Sequence, residues 1–235
     1  MQKAAVVYRQ PLHVGDPVQL VRRVRERVAN TCHGVTLHVQ SGALPAEIIA
    51  EGGLDTTLAA ALVLWVDRPE DLDELSAELD AIGPSRDTYL LTESVMREYA
   101  LIDWPLGEAS PGATLFALLQ KRAALTDHEF HERWQSHSTL SLRHHPLTRY
   151  HRNAVLRRLG HATRKYDGIV EERIASLADL APERFYIGTG AREKAVASLD
   201  AYVDLAAGGL TCALMEEFLI KLPSWVAPLA HPATA

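Results

Sequence analysis

The chain has 235 residues, 47% hydrophobic and 23% charged, with a formal net charge of −6. That is enough chain for one large domain or two small ones with a buried core. No basic stretch is dense enough for a nucleic-acid surface, and the longest apolar run, Leu58 to Val66, is too short to span a bilayer. Cys32 and Cys212 lie in different halves at no metal-ligand spacing. With no apolar signal segment after Met1, the expectation is a cytoplasmic protein with reduced thiols.

The first half, residues 1–100, opens with the β-rich run Lys3 to Arg9, and Pro11, Gly15 and Pro17 then punctuate the chain. Pro17 suits a first helical turn, and Val18, Val21, Val24 and Val28 follow at helical spacing. Gly34 to Gln40 alternates as a strand. A Gly-rich loop at Gly52-Gly53 leads into Ala59 to Val66, which reads as a buried strand. Acidic residues after Asp67 start a helix with the stripe Leu72, Leu75 and Leu79, and Arg86 to Tyr99 closes the half as a strand. The order β-α-β-β-α-β is that of a ferredoxin-like fold.

Residues 101–112, rich in Asp, Pro, Gly and Ser, read as a linker. The order then repeats over residues 113–222. Ala113 to Lys121 is a strand. Thr126 and Glu129 make a capping box, and the helix after them carries Phe130, Trp134, His137, Ser138 and Ser141 on one face. Leu147 to Leu156 and Tyr166 to Ile174 are strands. A long helical region is expected from Leu177 to about Ala206, broken near Gly188 and Gly190, before a last strand from Leu210 to Leu222. Residues 223–235 form an Ala/Pro-rich tail. The predicted class is α+β: two tandem ferredoxin-like halves that close one intrachain barrel.

His137 shares a helical stripe with Phe130 and Trp134 and should point inward, where an imidazole can exchange protons or simply pin the helix to the sheet. Trp134 reads first as core. Strand alternation puts Tyr150 and Asn153 on opposite faces, so one faces the helices and the other the barrel lumen, where polar side chains would line a cavity. Tyr150 divides between ligand contact and packing. Tyr166 and Asp167 sit at a strand start, where Asp is often a turn former. Glu171, Glu172 and Arg173 suggest a salt-bridged strand edge. His144 and His145 end the helix, where positive charge is favoured, and His128 and His131 read as solvated. There is no phosphate loop, Cys-x-x-Cys, His-Glu-x-x-His or Gly-x-Ser-x-Gly, and no metal site at a recognisable spacing.

Several segments of the second half resemble the EthD family of the dimeric α+β barrel superfamily. They are the opening strand Thr114 to Arg122, the capped helix with Phe130, Trp134 and His137, the strand Pro146-Leu-Thr-Arg-Tyr150 with Asn153, then Tyr166-Asp-Gly168, Ser176-Leu-Ala-Asp179 and Met215-Glu-Glu-Phe218. Thr139 stands where the family usually has Pro, and Ala154 where a His often follows the strand Asn. The first half matches in element order only. The resemblance implies a single-chain pseudo-dimer whose first half completes the barrel, with a homodimer of such chains as a further expectation.

It also implies a cofactor-independent, dehydratase- or cyclase-like lyase acting on a hydrophobic aromatic or polyketide-like carbonyl compound. His137, Tyr150 and Tyr166 would be catalytic. Trp134, Asn153, Asp167, Phe130 and Ser141 would contact substrate. No cofactor, metal, nucleic acid or membrane is expected. The alternative is a non-catalytic protein that binds or delivers a hydrophobic small molecule, accessory to an oxygenase. A haem-binding reading ranks third because no axial His stands out.

Overall fold

The structure, a computed structural model, describes residues 1–9, 12–48, 58–160 and 162–226. The loop at Gly52-Gly53 and the tail beyond Val226 lie outside the described residues. The first half contributes strands β1 (Gln2–Arg9), β2 (Gly34–Gly42), β3 (Leu58–Val66) and β4 (Arg86–Arg97). The second contributes β5 (Ala113–Leu119), β6 (Leu147–Leu159), β7 (Gly168–Ile174) and β8 (Leu210–Lys221). All eight form one closed antiparallel barrel in the order β1-β3-β2-β8-β5-β7-β6-β4. Each half alone has the ferredoxin-like order, and the seams pair the second strand of one half with the last of the other. His38 thereby faces Glu217 across β2 and β8, and Glu93 faces Asn153 across β4 and β6.

Period-2 alternation decides which side chains face the lumen and which face the helices. In the first half Ala4, Val6, Tyr8, Leu37, Leu62 and Leu64 face outward. There they meet Leu20, Val21 and Val24 of α1 (Pro17–Arg27). Leu72 of α2 (Asp71–Glu74) and Leu79 of α3 (Ser76–Asp80) complete this core. Asp16 caps α1 by accepting from the Val18 amide, and Val18 itself is exposed although it fits the apolar spacing. A first-turn residue points back past the helix start and misses the sheet.

In the second half α4 (Asp127–His144) begins with the expected capping box and buries Phe130, Trp134, His137, Ser138 and Ser141. The region after β7 is not one long helix. A 3-10 turn (Leu177–Leu180) leads to α5 (Pro182–Phe185) and α6 (Ala191–Asp200), then turns. Pro182 fixes a new first turn, and Gly188 and Gly190, both at positive φ, break the path. Gly168 permits one close approach: a Cβ there would lie 2.5 Å from the Trp134 ring.

The lumen is filled, as an eight-stranded barrel allows. Ala5, Val7, Val63, Tyr89, Phe116, Leu118, Ile169 and Met215 form an apolar core at its centre. Beside it lies a buried ion network. Lys3 donates to Glu93 (2.5 Å) and Glu171 (2.9 Å), and Arg149 donates to Glu217 (2.7 Å) and Glu98 (3.2 Å). His151 bridges Glu93 and Glu98 at 2.8 and 2.9 Å. Asn153 donates to Glu171 (3.1 Å) and Arg173 to Thr114 (3.0 Å). Burial alone would raise these carboxyls. The hydrogen bond from His151 and the charge of Lys3 nevertheless hold Glu93 down at about 2, and Arg149 and Arg173 do the same for Glu217. The network crosses both seams.

Two expectations change here, because a closed barrel has no edge and side chains fill most of this lumen. Glu171 and Arg173 are interior ion-network members, not a salt-bridged edge. Glu172 points the other way, into the helix layer. On the polar lumen face of β6, Arg149 and His151 border only a small pocket of about 10 Å³, with Thr36, Glu98 and Tyr99, and Asn153 is held in the ion network. Residues 101–112 lie along β8, with Ala109 bridging Phe218, and Tyr99, Ile102 and Trp104 pack over the barrel end with Val226.

Candidate active site

The titratable side chains that lack a counter-charge gather between α4, α6 and the outer face of the second-half sheet. A cavity of about 100 Å³ lies there. The sheet supplies Leu115, Tyr150, Val170, Glu172 and Cys212, and α4 with its C-cap supplies Trp134, His137 and His145. Phe185, Tyr186, Val196, Leu199 and Tyr202 complete the wall, with Tyr202 against His137 and Phe185 against His145. The first half contributes Leu44 and Ile48 from the segment after β2. That strap is tied down by Tyr186, whose hydroxyl donates to the Ile48 carbonyl (3.2 Å), and by Arg192, which donates to the Glu47 carbonyl (3.0 Å).

Sequence order explains how each group arrives. His137 lies one turn beyond Trp134 on the buried stripe of α4. Glu172 shares its strand parity with Val170 and Ile174, so it points at the helices. His145 is the C-cap of α4, its amide bonded to Ser141, and its ring packs on Phe185 with centroids 4.4 Å apart.

The electrostatics follow from burial without partners. Burial pushes His137 down to about 4, and burial with the neighbouring His137 and His144 pushes His145 down to about 3. Both rings are neutral imidazoles at neutral pH, which corrects the expectation of positive charge at His145. His144 is half-buried, and its Nδ1 lies 2.7 Å from the Ile187 carbonyl. Glu172 is half-buried, and the apolar groups around its carboxyl desolvate it and raise it to about 7, the Ser141 hydroxyl beside it offsetting only part. Among the described residues no hydrogen-bond partner meets Nδ1 of His137 or either ring nitrogen of His145. Tyr150 donates to Ser138 (2.9 Å), which in turn donates to the Trp134 carbonyl (2.8 Å). Burial drives the Tyr150 phenol upward, so it stays protonated.

The structure brings together His137, Tyr150 and Trp134 on the cavity wall, with Ser141 beside Glu172 and Phe130 behind Trp134 at 5.2 Å between ring centroids. It does not bring in the other three. Asn153 is in the lumen network. Tyr166 accepts from Arg9 (2.9 Å) and packs edge-on against Tyr89 at the lumen's apolar end. Asp167 accepts the Lys121 amide (2.9 Å) and serves as a turn anchor. Glu172, His145, Tyr202 and Cys212 are cavity groups that sequence reasoning did not place there. The signal for Glu172 was its parity, a carboxylate in register with Val170 and Ile174.

No known family profile matches the chain, and no curated protein matches it. Solved structures do. An anthrone oxidase-like protein aligns over 95% of both chains with a TM-score of 0.61 at 14% identity. A candidate monooxygenase from Fusobacterium nucleatum subsp. nucleatum aligns over 92% of both at 0.56 and 6%. The fold is that of the dimeric α+β barrel. A mutant chlorite dismutase from Candidatus Nitrospira defluvii, in complex with cyanide, also aligns, over 93% of this chain and 91% of its own at 0.50 and 10%. Barrel proteins of this kind differ in chemistry, so the fold alone assigns none. No helix among the described residues is long and apolar enough to cross a membrane.

Proposed function

We propose that the chain is a cofactor-independent enzyme performing dehydratase- or cyclase-like proton transfer on a small, uncharged, hydrophobic carbonyl compound held in the helix–sheet cavity. One observation carries this reading: a largely apolar cavity between helix and sheet is lined by titratable groups, the buried His137 and His145 and the half-buried Glu172, that no counter-charge neutralises. Structural ion pairs explain most buried charges, and these groups have none. Dehydration needs a base to take the proton beside the carbonyl and an acid to protonate the departing hydroxyl, so that water leaves and a C=C bond forms. The EthD-like helix with Trp134 and His137 supports the same reading, with His137 and Tyr150 facing the ligand. An anthrone, named in one structural neighbour, is a ketone with an acidic ring CH₂. At about 100 Å³ the cavity is smaller than the roughly 150 Å³ that accommodates benzene, so even a single ring needs the walls to give slightly. A polyketide-sized compound would need the Leu44–Ile48 strap displaced.

The strap also favours a second reading, a carrier that releases its ligand when Leu44 and Ile48 withdraw. The test is to extract whatever co-purifies, identify it by mass spectrometry, and return it to fresh protein. Accumulation of a product, abolished in a folded His137→Ala variant, supports the enzyme. Unchanged ligand recovered in full supports the carrier.

A further inference from the structure

Resting on the reading of this cavity as the ligand site, we propose that Glu172 is its general acid, donating a proton to the carbonyl oxygen of a bound ring ketone while His137 takes the proton from the adjacent carbon. The two come from opposite walls, Glu172 from β7 and His137 from α4, and both line the same cavity. The groups that line the cavity around Glu172 are uncharged: Tyr150 from β6, Cys212 from β8, His137 and His145 from α4 and its cap, Tyr186 after α5 and Tyr202 after α6, with Ser141 of α4 beside the carboxyl. Two cations stand behind that lining, Arg152 of β6 over the Trp134 ring (4.9 Å) and Arg192 of α6 on the Glu47 carbonyl, and neither acts on Glu172. Among the described residues no hydrogen bond joins Glu172 to either imidazole. A ligand inserted between the walls would therefore meet a carboxylic acid on one side and a free imidazole on the other.

Environments that drive two groups apart assign their roles. Burial favours the neutral form of each, which for a carboxyl is the acid and for an imidazole the base. Glu172 is raised to about 7 and His137 lowered to about 4, so both hold the required form between those values. The step balances. The α C–H bond breaks and its proton goes to His137. The electron pair forms the enol C=C bond as the carbonyl oxygen takes the Glu172 proton. The enol, an imidazolium and a carboxylate remain, and reversal restores the ketone. The arrangement specifies an uncharged substrate with one oxygen acceptor beside an enolisable carbon. The cavity lining itself carries no Lys or Arg to pair with a carboxylate ligand.

Cyclohexanone serves as the probe, its α-proton exchange followed by NMR in D₂O and its binding by calorimetry. The wild-type protein should accelerate exchange near pH 6 by about 100-fold over buffer, within the usual yield of general acid–base catalysis. The rate should fall as pH rises through about 7 and as it falls through about 4. Glu172→Gln keeps a hydrogen-bond donor and should bind cyclohexanone comparably while losing the acceleration and the alkaline limb. A purely structural Glu172 would change the melting temperature and leave the pH profile intact. Exchange by Glu172→Gln at the wild-type rate overturns the proposal, as does binding without exchange in the wild type, which leaves the cavity a binding site. Failure of the wild type to bind cyclohexanone removes the ligand-site reading and this proposal with it.

Discussion

The two halves share one topology and differ in what lies between their helices and their sheet. In the first half the described part of that layer is mostly hydrocarbon: Val6, Leu37, Leu62 and Leu64 pack on Leu20, Val24, Leu72 and Leu79, while the buried Tyr8 hydroxyl donates to the Leu79 carbonyl (3.1 Å) and that of Thr88 accepts from Arg86 (3.1 Å). In the second half the equivalent layer holds a cavity with two unprotonated imidazoles and a carboxylic acid. A packed layer stabilises, whereas a cavity lined with unpaired polar groups costs free energy. A duplicated fold can carry such a site in one half when the other half and the shared barrel keep the whole folded. The β2–β8 and β4–β6 seams and the lumen network that crosses them join the two halves.

The largest expected effect tests that joint. Arg149→Ala would leave Glu217 and Glu171 short of a cation inside the barrel and should cost about 3–5 kcal/mol, with both halves melting together. Two separate transitions in calorimetry would show that the halves fold independently and that the network is not what couples them.

Next comes the first-half layer. Leu62→Ala opens a hole in a packed core and should cost about 2–5 kcal/mol by chemical denaturation. Cyclohexanone binding should stay unchanged, because Leu62 belongs to the opposite half from the cavity. Altered binding would break the division of labour.

The smallest effect, and the most diagnostic, is of opposite sign. Glu172 ionises at about 4.5 when unfolded but at about 7 when folded, so what its burial contributes to stability is intact below pH 4.5 and lost as pH rises to 7. Glu172→Gln should therefore match the wild type near pH 4 and exceed it by about 3 kcal/mol at pH 8. The imidazoles run the other way. His137 and His145 are depressed from 6.5, so their contribution is full above that value and is lost as pH falls toward 4 and 3. Urea denaturation of wild type and Glu172→Gln across pH 4 to 8 separates the two trends. A constant difference between the curves would mean that Glu172 is not buried as an acid.

Much of the architecture was legible in local pattern. The alternation of β2, the continuous apolar run of β3, the capping box at Thr126 and the buried stripe of α4 each follow from a period or a cap that needs no long-range contact. Tyr150 and Asn153 had to fall on opposite faces for the same reason. The break expected at Gly188 and Gly190 after Leu177 is present, whereas the division before Pro182 and the end of α6 at Asp200 are not marked by the apolar content of that segment.

What sequence alone determined was therefore the element order, the duplication and the side of each element on which a residue lies. Which side is empty was decided by tertiary structure. Barrel closure turned Glu171 and Arg173 from an apparent edge into a charged interior, filled the lumen and removed Asn153 and Tyr166 from the cavity. The same closure brought Leu44 and Ile48 of the first half over a second-half cavity, and it set Glu172 opposite His137, 35 positions earlier in the chain. Periodicity is a property of neighbours within about four residues. Burial, and with it the protonation state of a carboxyl or an imidazole, depends on every element packed around the group, and no local pattern encodes it.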